Sequence, residues 1–193
     1  LATGSAAINL FFFFAILFMT GQEPLSLVCI ILLAACLGFL PYNFRNARIF
    51  LGDAGSTFLG FMLAGIALVG NWAEDSMVKV SIPLLIMGVP IFDMIFTTIM
   101  RIKEEKVRTV IEWLKYAGKD HFHHYLVDLG LRKTSAVIFI YLVTFSLGIS
   151  AVMVSNDSAT EGLMSLAQAT IVFVVIATLI VVGKRRHSGW HEK

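Results

Sequence analysis

Charge is what this sequence has least of. Its 15 Lys and Arg with 13 Asp and Glu make up 15% of 193 residues, against about 25% in an average soluble domain. Cysteine is nearly absent. Cys29 and Cys36 alone cannot build a disulfide scaffold, and both sit in an apolar stretch where they read as small apolar fillers. No charged n-region precedes the first apolar stretch, so it does not read as a signal peptide. Period-two alternation is also missing, which argues against a β-barrel. What is present in excess is apolar: 58% of residues, with a mean hydropathy of +0.82. A soluble globular domain, a disordered segment and a nucleic-acid-binding domain are excluded. An all-α polytopic membrane protein remains.

A membrane-crossing helix takes roughly 20 mostly apolar residues. Six stretches come near that length, at 2–20, 25–42, 55–70, 78–100, 135–154 and 163–182. The run Phe11–Phe14 covers all sides of its helix, so it is lipid-facing and core bulk. The connections after the first, third and fifth stretches are short and hold Glu23, Glu74, Asp75, Asp157 and Glu161. On the opposite side lie two long loops, 43–54 and 101–134, and the tail from 183. That side carries 14 of the 15 Lys and Arg residues, with only Lys79 elsewhere. The positive-inside rule makes it cytoplasmic.

Two polar clusters on that side need explaining. The first runs Pro41-Tyr-Asn-Phe-Arg-Asn-Ala-Arg-Ile-Phe-Leu-Gly-Asp-Ala-Gly-Ser56. Gly52 and Gly55 allow close backbone approach to a ligand. Asp53 and Ser56 fall where the third helix begins, either as plain N-caps or as groups facing a phosphate or a divalent metal. Arg48 could add a charge-assisted contact. The second cluster is Lys119-Asp-His-Phe-His-His124 and holds three of the five histidines. In a helix, His121 and His124 would share a face and His123 would point elsewhere. The alternatives are a solvated histidine-rich loop and a phosphate contact. Between the clusters, 101–118 has the i, i+3, i+4, i+7 pattern of an amphipathic helix on the leaflet or against another helix. Asp93 follows Pro90 inside the fourth stretch. An intramembrane carboxylate points to a function or a buried partner. Thr134 and Ser135 are placed to cap the fifth span.

The ordered set resembles a family. Asn43, Ala47-Arg48-Ile-Phe-Leu-Gly-Asp-Ala-Gly-Ser56, Pro90-Ile-Phe-Asp93, Arg101 and the H-x-H-H run His121–His124 are similar to the polyprenyl-phosphate N-acetylhexosamine-1-phosphate transferases. The resemblance implies transfer of a sugar-1-phosphate from a UDP-sugar to undecaprenyl phosphate, releasing UMP. It implies magnesium, with manganese as the alternative ion, and a place in the bacterial inner membrane with a cytoplasmic site serving cell-wall or lipopolysaccharide synthesis. Asp53 would hold the metal and take part in catalysis with His121, His123 and His124. Asn43, Arg48, Gly52, Gly55, Ser56 and Arg101 would bind substrate, with Asp93 a further candidate. The Ala47-Arg48 pair and the H-x-H-H run resemble the branch using UDP-GlcNAc. The runner-up is the branch using UDP-MurNAc-pentapeptide.

The sequence departs from the family pattern at Asn46, where proline is common. No Asp-Asp pair occurs in it, although the family carries one. It therefore reads as the C-terminal part of such an enzyme, inactive alone, with the N-terminal half as its partner and a second copy as a candidate partner. Two other readings stand beside this one. A transporter module would show broken helices in paired positions. A non-catalytic scaffold would leave the two clusters apart in space.

Overall fold

Inside lipid, a chain can satisfy its backbone polar groups only within helices or a closed barrel. The computed structural model describes residues 1–44, 47–73, 76–104, 109, 112–113, 121–155 and 159–188, and all regular structure among them is helical. The helices are α1 (Ala2–Met19), α2 (Glu23–Asn43), α3 (Gly52–Val69), α4 (Ser76–Ile86), α5 (Gly88–Lys103), α6 (Phe122–Asp128), α7 (Lys133–Val154) and α8 (Ala159–Ser188). Five of them, α1, α2, α3, α7 and α8, are long and apolar enough to cross a membrane singly. The all-α membrane class expected from composition is what forms.

The expected span at 78–100 is not one helix. It breaks at Met87 into α4 and α5, which meet at 71°. Proline is the cause. Pro90 has no N–H for the carbonyl of Ile86 four residues earlier, and its ring crowds that carbonyl. Hydrogen bonds from Met87 N to Pro83 O and from Ile91 N to Met87 O, at 2.9 and 3.0 Å, carry the chain round the bend. A sixth crossing therefore exists only if the bent pair is counted as one.

Two smaller expectations also change. Thr134 and Ser135 do not cap α7; they lie within its first turn, and Arg132 is the cap residue without a side-chain bond. Asp53 and Ser56 are not caps of α3, whose cap position is Leu51. The amphipathic helix expected over 101–118 lies mostly outside the described residues, as do Arg45, Asn46, Lys119, Asp120 and the end of the tail.

α1 is the axial helix. It is 61% buried over its span, against 11–33% for the other single spans, because α2, α3, α4 and α7 all pack on it. Two of the four successive phenylalanines serve this contact. Phe12 and Phe13 are buried, while Phe11 is 44% exposed. Cys29 and Cys36 are buried fillers as expected. The α1–α7 contact needs Gly148, since a Cβ there would run into the Phe12 ring. Gly148→Ala is expected to cost about 1–3 kcal/mol of overpacking. The check is a lowered midpoint of thermal unfolding in detergent; an unchanged midpoint would contradict this packing.

The two ends of the bundle are sorted as the charge pattern requires. At the acidic end, Gln22 and Asn71 clamp the α1–α2 and α3–α4 connections. Gln22 Nε2 donates to Asn71 O at 2.7 Å, and Asn71 N donates to Gln22 Oε1 at 2.8 Å. Trp72 seals this end, its Nε1 donating to Ala67 O at 2.8 Å and its ring 4.9 Å from Phe13. At the basic end, the Tyr141 hydroxyl donates to Leu1 O and its ring stacks on Phe44.

Candidate active site

The histidine run is held by α5. Phe122 and Tyr125 are buried and pack edge-on against Phe96, at centroid distances of 6.4 and 5.4 Å. Phe92 meets Phe122 at 5.3 Å and stacks on Phe173 of α8 at 4.5 Å. Each such pair contributes about 0.5–1.5 kcal/mol beyond the area it buries. Four aromatics thus dock α6 on α5, and Phe173 joins α8 to them.

Asp93 completes the docking. Its Oδ1 accepts from the Phe122 backbone N–H at 2.7 Å and from the Thr97 hydroxyl at 3.3 Å. Its Oδ2 lies 2.9 Å from His121 Nδ1. An ionised carboxylate can only accept, so His121 carries its proton on Nδ1. The Asp93 side chain is 25% exposed and that of His121 55%, so the pair sits at a mouth and not in the interior. Asp93, read in the sequence as pointing to a function or a buried partner, is the residue that orients the start of the histidine run.

The three imidazoles line up. His121 and His123 are near-parallel with centroids 6.3 Å apart, and His123 and His124 are 4.0 Å apart. The expected pairing of His121 with His124 on one face is not what forms. α6 begins only at Phe122, so His121 precedes the helix in extended backbone at φ −68°, ψ 153°. Helical spacing does not apply to it.

His123 is half-buried, and its Nδ1 has no hydrogen-bond partner. Burial, aided by the neighbouring His124, pushes its pKa down to about 4 despite the opposing pull of Asp93. An unfolded histidine titrates near 6.5. The unfolded chain therefore binds the proton first, and stability should fall as pH drops from about 6.5 towards 4. Thermal unfolding at pH 7.5 and 5 checks this. The drop should be smaller in His123→Gln; an equal drop in both proteins would assign it to other groups.

The first cluster is shaped by its backbone. Asn43 Nδ2 donates to Ile49 O at 2.9 Å, and Arg48 N donates to Tyr42 O at 2.9 Å, folding the turn back on α2. Gly52 then starts α3 at φ +67°, in the left-handed region that other residues enter at a cost of roughly 1–2 kcal/mol. Asp53 follows as the one acidic residue of the first turn, exposed. Ser56 comes one turn later, its hydroxyl donating to Gly52 O and Asp53 O at 3.0 and 3.1 Å.

The two clusters meet. One cavity of about 410 Å³ is lined by Ser56, Asp93, His121 and His123 together with α1. Asp53 is not among its lining residues; it lies three residues before Ser56 in the first turn of α3. Asn43, Arg48, Gly52, Gly55, Arg101 and His124 are not among the lining residues. Arg101, expected to bind substrate, is 7% exposed, with its guanidinium 5.8 Å above the Trp113 ring. Trp113 Nε1 donates to the Thr98 hydroxyl at 3.1 Å, so both residues tie the long loop to α5.

Two features were passed over in the sequence. Phe122, Tyr125, Leu126 and Leu129 repeat at i, i+3, i+4, i+7, the mark of a docked helix. Ser5 and Asn9, on α1, also line the cavity. Polar residues within an apolar span are the signal that marks them.

Membrane-length helices around a carboxylate–imidazole cavity at their basic end define a multi-pass membrane protein with a polar site near one face. Comparison with known proteins narrows this class. The family model of Glycosyl transferase family 4 matches residues 1–71. Over 171 residues the chain is 35% identical to the probable undecaprenyl-phosphate N-acetylglucosaminyl 1-phosphate transferase of Bacillus subtilis, covering 88% of this chain and 44% of that protein. It is 29% identical over 180 residues to a decaprenyl-phosphate N-acetylglucosaminephosphotransferase of Mycolicibacterium smegmatis, covering 88% and 43%. Over 71 residues it is 42% identical to a phospho-N-acetylmuramoyl-pentapeptide-transferase of Staphylococcus aureus, covering 37% and 22%. No solved structure matches. Residues 1–71 thus resemble glycosyl transferase family 4, and 88% of the chain is similar to part of the B. subtilis protein. The chain spans about 44% of the length of the B. subtilis relative.

Proposed function

We propose that this chain carries the His-motif side of a site that transfers N-acetylhexosamine-1-phosphate, with UDP-GlcNAc as donor, to a polyprenyl phosphate. The observation that supports it most is the convergence of Ser56, Asp93, His121 and His123 on one cavity at the basic end of the bundle. In the net reaction a lipid phosphate oxygen bonds to the sugar-bearing phosphorus. The bond from that phosphorus to the bridging oxygen breaks, and UMP leaves with the electron pair. Phosphoryl transfer depends mostly on positioning and on neutralising charge. Imidazoles fixed by Asp93 can donate to diphosphate oxygens, and a basic face favours both anionic substrates.

Mg²⁺, or Mn²⁺, is the metal this chemistry asks for, and Asp53 is the residue that would hold it. The described residues contain no group of three His, Cys, Asp or Glu that could hold an ion by themselves. A hard cation of this kind is bound through one or two carboxylates, substrate phosphates and water. Bound there, it would neutralise charge on the leaving UMP. The charge asymmetry supports a site facing the cytoplasm, and the relatives support a bacterial membrane, where the product would feed cell-envelope polysaccharide synthesis.

The longer relatives act on N-acetylglucosamine, whereas the muramoyl-pentapeptide relative matches over 71 residues only, which favours GlcNAc as the sugar. A transporter would need a second broken helix, and among the described residues one pair alone is bent. The test uses the protein expressed from its complete gene in bacterial membranes. UMP should be released from UDP-GlcNAc only when undecaprenyl phosphate is added, and EDTA should stop it. No UMP with both substrates and Mg²⁺ present would overturn the proposal.

A further inference from the structure

The cavity has a floor that the phosphate chemistry does not use. Asn9 is 1% exposed and Ser5 7% exposed, on α1. Both line the cavity that His121 and His123 also border. The Asn9 Oδ1 and Nδ2 atoms and the Ser5 hydroxyl have no hydrogen-bond partner. A buried polar atom left unsatisfied costs about 1–3 kcal/mol, and an amide side chain with both ends unsatisfied carries that cost twice. Asn9 and Ser5 are one turn apart, about 6 Å along the helix. Together they carry three donor hydrogens and two acceptor oxygens within one turn of α1.

We propose that Asn9 and Ser5 form the subsite for the uncharged part of the donor, reading the 2-acetamido group of its sugar; this rests on the transferase reading above. Three properties of the cavity select that chemistry. None of its lining residues is Lys or Arg, so the floor is a poor place for a phosphate. Ala6, Leu59, Leu63, Val89 and Ile140 form its walls, and they suit the acetamido methyl. An acetamido group presents one N–H and one C=O, the complement of the Asn9 carbonyl and amine. The volume of about 410 Å³ lies within the range of small-ligand pockets. With the diphosphate held at the histidine mouth, the sugar joined to it is the portion placed to reach inward.

The test compares UDP-GlcNAc with UDP-glucose, which lacks the acetamido group, in the protein expressed from its complete gene. Asn9→Leu keeps the volume and removes the unsatisfied amide, so thermal unfolding should stay at the wild-type midpoint or rise. The preference in kcat/KM for UDP-GlcNAc over UDP-glucose should fall about tenfold, through KM for UDP-GlcNAc, as expected when a hydrogen-bonding subsite loses its reader. Ser5→Ala, which removes one hydroxyl, should show a smaller fall in the same ratio. An unchanged ratio in both variants overturns the subsite while leaving the transferase reading standing. Wild-type protein that releases no UMP from either donor overturns that reading and the subsite together.

Discussion

Asp53→Asn is expected to reduce UMP release from UDP-GlcNAc by on the order of 10²–10³-fold, the scale of losing one charge-stabilising group at a reacting centre. The substitution keeps size and shape and removes only the charge. It should leave the fold intact, because α3 is started by Gly52 in its left-handed conformation and capped at Leu51, not by the Asp53 carboxylate. Asp53 is exposed on the first turn, one turn before the Ser56 that faces the cavity. A carboxylate there can reach an ion that also binds the diphosphate. Raising Mg²⁺ should restore part of the lost rate if the weakened step is metal binding. Measurement is direct: UMP released per minute across a Mg²⁺ series, with thermal unfolding as the control for folding. Full activity in the variant would remove Asp53 from the site and the metal assignment with it.

Where the helices lie was legible in the sequence because lipid leaves the backbone no alternative. Apolar runs of membrane length had to become helices, and the basic residues sorted the ends. What the sequence did not display was the break at Met87. Pro83 and Pro90 announce a disturbance, but a proline in a membrane helix can also be accommodated as a shallow kink; the size of the turn, 71°, goes with the packing of α4 against α7 and α8. The candidate site was legible as a set of residue types and not as a geometry. Asp53, Ser56 and the histidines stood out because charge and polarity are scarce. Their arrangement depends on Asp93, which is 28 residues before His121, and on ring contacts between α5, α6 and α8 that no local pattern encodes. The same dependence misled the face assignment for His121, whose backbone stops short of the helix. Arg101 is a letter that does not display its surroundings: its guanidinium is buried over the Trp113 ring.

Asp93→Ala should be nearly as damaging as the loss of Asp53, for a different reason. It removes the acceptor of the Phe122 N–H and the partner of the His121 ring at once. Hydrogen bonds to a charged group are worth about 1.5–3 kcal/mol each, and about 1.4 kcal/mol is tenfold in rate. If half of that stabilisation is felt at the reacting centre, UMP release falls on the order of 10- to 100-fold. The aromatic contacts of Phe122 and Tyr125 remain, so α6 should stay docked and the protein should fold. Asp93→Asn separates the two duties. Its carbonyl oxygen can still accept from Phe122, but the charge beside His121 is gone. An imidazolium without its carboxylate neighbour loses its proton more readily, so the alkaline limb of the pH–rate profile, where the donating ring deprotonates, should move to lower pH in Asp93→Asn. Asp93 therefore acts as a positioning residue that also sets the protonation of the ring it orients. Equal losses in the Ala and Asn variants with an unmoved pH profile would reduce it to a docking residue. Wild-type rates in Asp93→Ala would dismiss the histidine arrangement seen here as the working one.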